Sequence, residues 1–393
     1  MSQFNHRIEI FSSFLNETRL RGWFSWRPDE LLLQIGYYPH LGASFLLFLD
    51  NGERILFIPE LEPFVDHLGD TQILTYPWGN LACADPILEL YRCLEDTLRT
   101  RKISREQIGY CLAPGQSSLP AVFAEEAPIS QRQLALLTCG MRNSIPLEDA
   151  FLYLYLLKTQ EEIDNIRLAN SVAQMAINTW REALVPGVTE AEVAARAEFA
   201  VQSQTGRGKI RAARAWAMVQ SGTNTSNSGR FNRSSGRRLE SGDLVLIEMA
   251  TCVNGYWSDL TRTEPVGIAS AFASDLLDAV SEAQQMVLRV LEPGLPARVA
   301  YETAKSCLDR AGFAGCFTHP LGHHVGFRYH DPGFRLAANS LEILRPGMVL
   351  TIEPGAYLQD RRIGARLEDN VAIHHQTVEI LSRRARKDTY ETD

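Results

Sequence analysis

The chain has 393 residues, 45% hydrophobic and 22% charged, a globular composition too long for one ordinary core, so two domains are expected. Its 39 basic and 47 acidic side chains give a formal net charge of −8. That balance argues against nucleic acid as a main partner, because phosphate binding needs a basic footprint.

No apolar run reaches bilayer-spanning length, so no membrane partner is expected. The opening MSQFNHRIEIFSSF carries no secretory pattern. The seven Cys are scattered and form no CxxC pair, which fits reduced thiols and a cytoplasmic setting. Apolar residues at helical spacing predict a helix over 5–21. FLLFLD and RILFIPE flank Asn51-Gly52 and predict a β-hairpin. DPILELYRCLEDTLRTRK (85–102) reads as a helix and QIGYCL (107–112) as a strand. Strand and helix alternate, as in a small layered α/β domain spanning about residues 1–150.

GMRNSIPLED reads as a linker, and AFLYLYLLK as a helical segment leading into a long helix over 160–184 that stops at Pro186-Gly187. The next helix opens with Thr189 and Glu192 in capping-box spacing. The second domain, about 155–385, carries signs of duplication. REALVPGVTEAEVAARAEFA matches LRVLEPGLPARVAYETAKSC in pattern, and SGDLVLIE matches RPGMVLTIE. Gly242 and Gly347 are each followed six residues later by a glutamate, Glu248 or Glu353.

In LVLIEMATCVNGYWSDLTRT, Asn254-Gly255 is the favoured two-residue type I′ turn. Counting back from it pairs Ala250 with Asp259 and puts Glu248 on the same face, roughly 7–8 Å from Asp259 at the backbone. Two anions converging on an apolar hairpin repel each other, and a multivalent cation would resolve the conflict. Taken alone, such a pair is more often simply solvated. The second half offers a matching set. THPLGHHVGFRYHDPG holds His319, His323, His324 and His330, four of the nine His. Glu353 ends an apolar run in MVLTIEPGAYL, and Glu368 lies inside GARLEDNVAI. Four carboxylates and one imidazole suit two divalent ions such as Mn²⁺, Co²⁺ or Zn²⁺. Arg366 stands two residues before Glu368, where it could orient that carboxylate.

SDLTRT, GHHVG, HD, IEPGAY and RLEDN, in this order, resemble the creatinase, Xaa-Pro aminopeptidase and prolidase superfamily of pita-bread metallohydrolases. LKTQEEIDNIRLA resembles the opening helix of its catalytic domain. The resemblance implies a creatinase-type N-terminal domain and a pita-bread catalytic domain with pseudo-twofold duplication. It places metal ligands on Glu248, Asp259, His323, Glu353 and Glu368, with Glu248 standing where the family carries Asp. A further family His falls on Phe231. His319 and His330 match positions that bind substrate and move protons, and Glu353 would also act in proton transfer.

The activity implied is metal-dependent hydrolysis of an amide C–N bond in a small peptide, most like an Xaa-Pro aminopeptidase or prolidase, by attack of metal-bound hydroxide. A homodimer in which the N-terminal domain helps wall the active site is expected from the same resemblance. Two other readings stay open: a creatinase-like hydrolase of a small guanidino or ureido compound, and an inactive pita-bread binding protein.

Overall fold

A computed structural model describes residues 3–39, 44–62, 65, 68–77, 85–110, 131–143, 151–228 and 234–382. The chain divides into two units, Met1–Leu154 and Tyr155–Asp393. Among the described residues, no helix is long and apolar enough to cross a membrane.

The first unit is built on a six-stranded sheet of β1 (Gly22–Ser25), β2 (Phe45–Leu49), β3 (Arg54–Pro59), β4 (Gln72–Tyr76), β5 (Ile108–Tyr110) and β6 (Arg142–Asn143), in the order β4-β3-β2-β1-β5-β6. β2 and β3 form the expected antiparallel hairpin around Asn51-Gly52. Every residue of both strands is buried, which is why they read as continuous apolar runs rather than alternating ones. The helices are α1 (Gln3–Glu17), α2 (Pro28–Ile35), α3 (Pro86–Arg101) and α4 (Gln131–Leu137). The Asp85 carboxylate caps α3 by accepting from the Ile87 and Leu88 amides. Leu90, Leu94 and Leu98 of α3 pack on Phe45, Leu47, Ile55 and Phe57, while Leu31 and Ile35 of α2 pack on Leu46, Leu56 and Ile58. Successive strand residues therefore face different helices, and both sheet faces are covered.

A short helix, α5 (Leu152–Leu156), contains the division between the units. The second unit then runs α6 (Gln160–Glu182), α7 (Glu190–Gln202), β7 (Ala213–Ser221), β8 (Leu244–Val253), β9 (Tyr256–Pro265), α8 (Ala271–Val290), α9 (Ala297–Leu308), β10 (Val349–Ile352), β11 (Gly355–Leu358), β12 (Ile363–Arg366), β13 (Asp369–Ile373) and β14 (Val378–Ile380). Its sheets are β7-β8-β9, β10-β13-β14 and β11-β12, all antiparallel. Thr159 with Glu162, and Thr189 with Glu192, form capping boxes at the starts of α6 and α7.

The duplication is visible in backbone hydrogen bonds. The Gly187 amide donates to Leu239 O and the Leu239 amide to Val188 O; in the second half Gly294 donates to Leu344 O and Leu344 to Leu295 O. The Gly242 amide donates to Val266 O, and its counterpart Gly347 to Ile373 O. The φ angles at Gly187 and Gly294 are 91° and 93°, and at Gly242 and Gly347 they are 89° and 92°. All four lie in the left-handed region that glycine alone occupies cheaply. The helix–turn–helix–strand unit is thus made twice from one set of turns.

One close approach brings the two loop systems of the site together. The Gly322 backbone lies against β10, and a Cβ there would fall 2.0 Å from the Thr351 carbonyl oxygen. We expect Gly322→Ala to force that strand apart and to destabilise the second unit by roughly 1–3 kcal/mol, read as a lower denaturation midpoint. An unchanged midpoint would show that the loop yields freely.

Candidate metal centre

The Asn254-Gly255 turn adopts positive φ at both residues, 52° and 93°, as a type I′ turn requires. The register follows: Val253 pairs with Tyr256, Ala250 with Asp259, and Glu248 with Thr261. Val245, Ile247, Met249 and Leu260 project to the other face and pack against Ala169, Val172, Ala173 and Ile177 of α6. The period of two therefore turns Glu248, Asp259 and Thr261 together to the opposite face, where both carboxylates are buried, at 5% and 2% exposure.

The second half brings its residues to the same place. The His323 amide donates to Thr351 Oγ1 at 3.0 Å, and the Thr351 amide to His323 O at 2.9 Å. His323 Nδ1 lies 2.9 Å from His324 O. A carbonyl only accepts, so Nδ1 holds the ring proton and Nε2 presents its lone pair. That Nε2 faces Asp259 Oδ2 at 3.4 Å and Glu353 Oε1 at 3.7 Å. Glu353 follows the last residue of β10 and is succeeded by Pro354, which has no amide to continue a ladder. Glu368 sits between β12 and β13, with its amide on Thr261 O at 3.0 Å and its Oε2 accepting from Thr261 Oγ1 at 2.7 Å.

Ligand atoms of Asp259, His323 and His330 lie within 4.8 Å of one another, as do those of His323, Glu353 and Glu368. Glu248 belongs to neither group. Its Oε1 accepts from the Tyr329 hydroxyl and its Oε2 from Arg366 Nη2. Arg366 also donates from Nε to Thr261 Oγ1 at 3.1 Å and from Nη1 to the Tyr357 hydroxyl at 2.8 Å. The guanidinium thus pairs with Glu248 and reaches Glu368 through Thr261, whereas the sequence suggested direct orientation of Glu368. His319 Nδ1 donates to Pro320 O at 2.8 Å, and its Nε2 lies 3.0 Å from the Tyr357 hydroxyl. His330 stacks edge-on against His323, with ring centres 4.0 Å apart. His324 turns away and packs on Phe334, fully buried. Phe231 lies outside the described residues.

Burial raises the acids well out of the ordinary carboxylate range. For Asp259 the loss of water acts first, then the charges of Glu248 and Glu353. Glu368 is pushed up by burial and then by Asp259. Glu353 rises to about 8, through burial and then the Glu368 charge. Burial, then Arg366, depresses His319 to about 4, and burial, then His323, depresses His330. Both imidazoles are therefore neutral at pH 7.

Asp259 Oδ1 and Glu368 Oε1 are buried and accept no hydrogen bond. Uncompensated buried oxygens are costly. Mixed carboxylate and imidazole donors with free lone pairs fit a divalent cation of the Mn²⁺, Co²⁺ or Zn²⁺ type.

Several contributors escaped the sequence reading. Tyr329 and Tyr357 bond the acids and the Arg. Asn370 Nδ2 donates to Asp259 O at 2.7 Å, and the Asp259 amide returns to Asn370 Oδ1 at 3.1 Å. Asp331 accepts from the Arg328 amide at 2.8 Å and from Lys158 Nζ at 2.7 Å, in a pair with no side-chain exposure. Its place in HD beside His330 was the available signal: it pins the loop that carries that ring.

Two related half-units around a buried carboxylate–imidazole cluster define a pita-bread fold of the creatinase and prolidase superfamily. The chain belongs to metallopeptidase family M24, whose model matches residues 164–375, and the family implies divalent metal ions. An Xaa-Pro dipeptidase of Pyrococcus furiosus is 27% identical over 97% of this chain and 99% of its own. An uncharacterized peptidase of Staphylococcus aureus (strain USA300) is 30% identical over 95% and 97%. In fold, the chain is similar to the prolidase from Pyrococcus furiosus, with TM-score 0.73 and 24% identity over 95% of this chain and 100% of that one. It is similar also to the X-Pro aminopeptidase from Thermotoga maritima, with TM-score 0.73 and 20% identity over 95% and 99%.

The shifted groups set a pH dependence for the metal-free protein. Glu353 keeps its proton in the fold up to about 8, while the unfolded chain releases it near 4.5. The unfolded state thus binds fewer protons, and stability falls as pH rises through that window. His319 acts oppositely, adding stability as pH rises from about 4 to 6.5. Between pH 6.5 and 8 the carboxyl effect stands alone. We expect the metal-free protein to lose stability over that interval and the metal-loaded protein to hold it, with protons released on metal binding. Parallel melting curves for the two forms would contradict this.

Proposed function

We propose that this chain is a divalent-metal-dependent hydrolase of the amide bond in small Xaa-Pro peptides. The observation that carries the reading is the meeting of two groups at His323, Asp259–His323–His330 and His323–Glu353–Glu368, with bare oxygens on Asp259 and Glu368. Support for the substrate class comes from the Xaa-Pro dipeptidase relative over nearly the whole chain.

Divalent metal bound at these residues supplies polarisation of the scissile carbonyl and activation of water near neutral pH. Glu353 lies 3.7 Å from His323 Nε2 at the end of β10 and, ionised once metal is bound, would be placed for general acid–base work. Its carboxylate takes a proton as water adds to the carbonyl carbon, then delivers it to the proline nitrogen as the C–N bond breaks. His319 and His330 are neutral and orient the substrate by hydrogen bonds rather than by charge. His319 is itself fixed by Pro320 O and the Tyr357 hydroxyl. Asp331 and Lys158 hold the His330 loop in place. The cytoplasmic setting, the homodimer and the boundaries 1–150 and 155–385 remain part of this proposal.

The test is hydrolysis of one Xaa-Pro dipeptide by the full chain, before chelation, after it, and after return of Mn²⁺, Co²⁺ or Zn²⁺. Activity should vanish with the metal and return with it. Glu353→Gln should lower kcat by about 10²–10⁴-fold beyond any change in metal content. A metal-replete protein that leaves Xaa-Pro dipeptides intact would sink the reading.

A further inference from the structure

The five residues matched to metal ligands divide into two groups with different surroundings. Asp259 and Glu353 face His323 Nε2, Glu368 lies within 4.8 Å of His323 and Glu353, and Asp259 Oδ1 and Glu368 Oε1 accept no hydrogen bond. Glu248 has both carboxylate oxygens engaged, one by the Tyr329 hydroxyl and one by Arg366. Neither donor is a loose surface group. Tyr329 has 0% exposure and Arg366 has 4%. Tyr329 is wedged between Trp257 and His330, with ring centres 6.3 Å and 4.6 Å away. Arg366 is held at Nε by Thr261 and at Nη1 by Tyr357. Glu248 is one methylene longer than the Asp of the family pattern, and its carboxylate meets donors that are already fixed.

We propose that this chain holds one divalent ion, on Asp259, His323, Glu353 and Glu368, and that the Tyr329–Glu248–Arg366 cluster stands in place of a second. This deepens the metallopeptidase reading and rests on it. The guanidinium is a permanent cation beside an acid cluster, so it supplies part of the charge balance that a second ion would bring. It has no coordination position and cannot acidify water as a Lewis acid does. The chemistry of the site is then that of a single Lewis acid beside a fixed positive charge, not of paired ions bridging one water. Tyr329 contributes a buried hydroxyl that donates to Glu248.

The test counts ions on the full chain. Protein stripped by chelation is titrated with Mn²⁺, and bound metal is measured by calorimetry and by elemental analysis after gel filtration. We expect one ion per chain and the six-line magnetic resonance signal of an isolated Mn²⁺. Two ions per chain with an exchange-coupled signal would overturn the proposal. The double variant Glu248→Asp with Tyr329→Phe should raise the count to two and bring in the coupled signal. Tyr329→Phe alone keeps the bulk of the ring, so the comparison stands even if the double variant folds poorly; it should weakly bind a second ion at high Mn²⁺. If both folded variants still bind only one, the cluster is not what excludes the second ion and the proposal fails. The two readings separate cleanly. One tightly bound ion without Xaa-Pro cleavage defeats the substrate assignment and leaves the stoichiometry standing. Xaa-Pro cleavage with two ions does the reverse.

Discussion

Three carboxyl groups, Asp259, Glu353 and Glu368, are held together at a poorly solvated site, the first and last buried and Glu353 partly exposed. Burial and each other's charge lift all three above their ordinary range. Charges this close in a poorly solvated interior repel strongly, so the surrounding structure has to pin them. The Asn370 side chain exchanges two hydrogen bonds with the Asp259 backbone. Thr261 holds Glu368 by its hydroxyl and its carbonyl, and Thr263 exchanges hydrogen bonds with the Arg366 backbone. These bonds join β9 of one half to β12 and β13 of the other. Beneath them, the reverse face of β8 is packed on α6 and α7. The apolar core is thus the platform on which an electrostatically unfavourable cluster is assembled.

How much of this could be read beforehand depended on how local the cause was. The Asn254-Gly255 turn is specified by two adjacent residues, and its register placed Ala250 opposite Asp259 by counting alone. The capping boxes at Thr159 and Thr189 are equally local, and both formed. Arg366 shows where such counting fails. Two-residue spacing put it on one strand face with Glu368, but β12 stops at Arg366 and β13 begins at Asp369. Glu368 lies in the break, the alternation lapses there, and the guanidinium pairs with Glu248 instead. Tyr329, Thr261 and Asn370 carried no local signature. Their partners lie 81, 107 and 111 residues away in the chain, and only the packed fold selects them.

The duplication explains why the acids converge, and its imperfection explains what the site can do. Gly242 and Gly347 make the same turn, with matching φ and matching amide bonds, and each is followed six residues on by Glu248 or Glu353. Equivalent scaffolds therefore deliver equivalent carboxylates to one region. Their fates differ because the following residues differ. β8 continues past Glu248 into a ten-residue strand, which leaves the carboxylate within the sheet face beside Tyr329 and Arg366. β10 ends before Glu353, and Pro354 prevents the ladder from continuing, so that carboxylate projects at a strand end beside His323. One copy has both oxygens held by fixed donors, and the other accepts a long bond from Thr351 Oγ1 and faces His323. The proposed proton transfer needs the less restrained carboxylate, and structural rigidity needs the pinned one. A perfectly symmetric pair could not have supplied both.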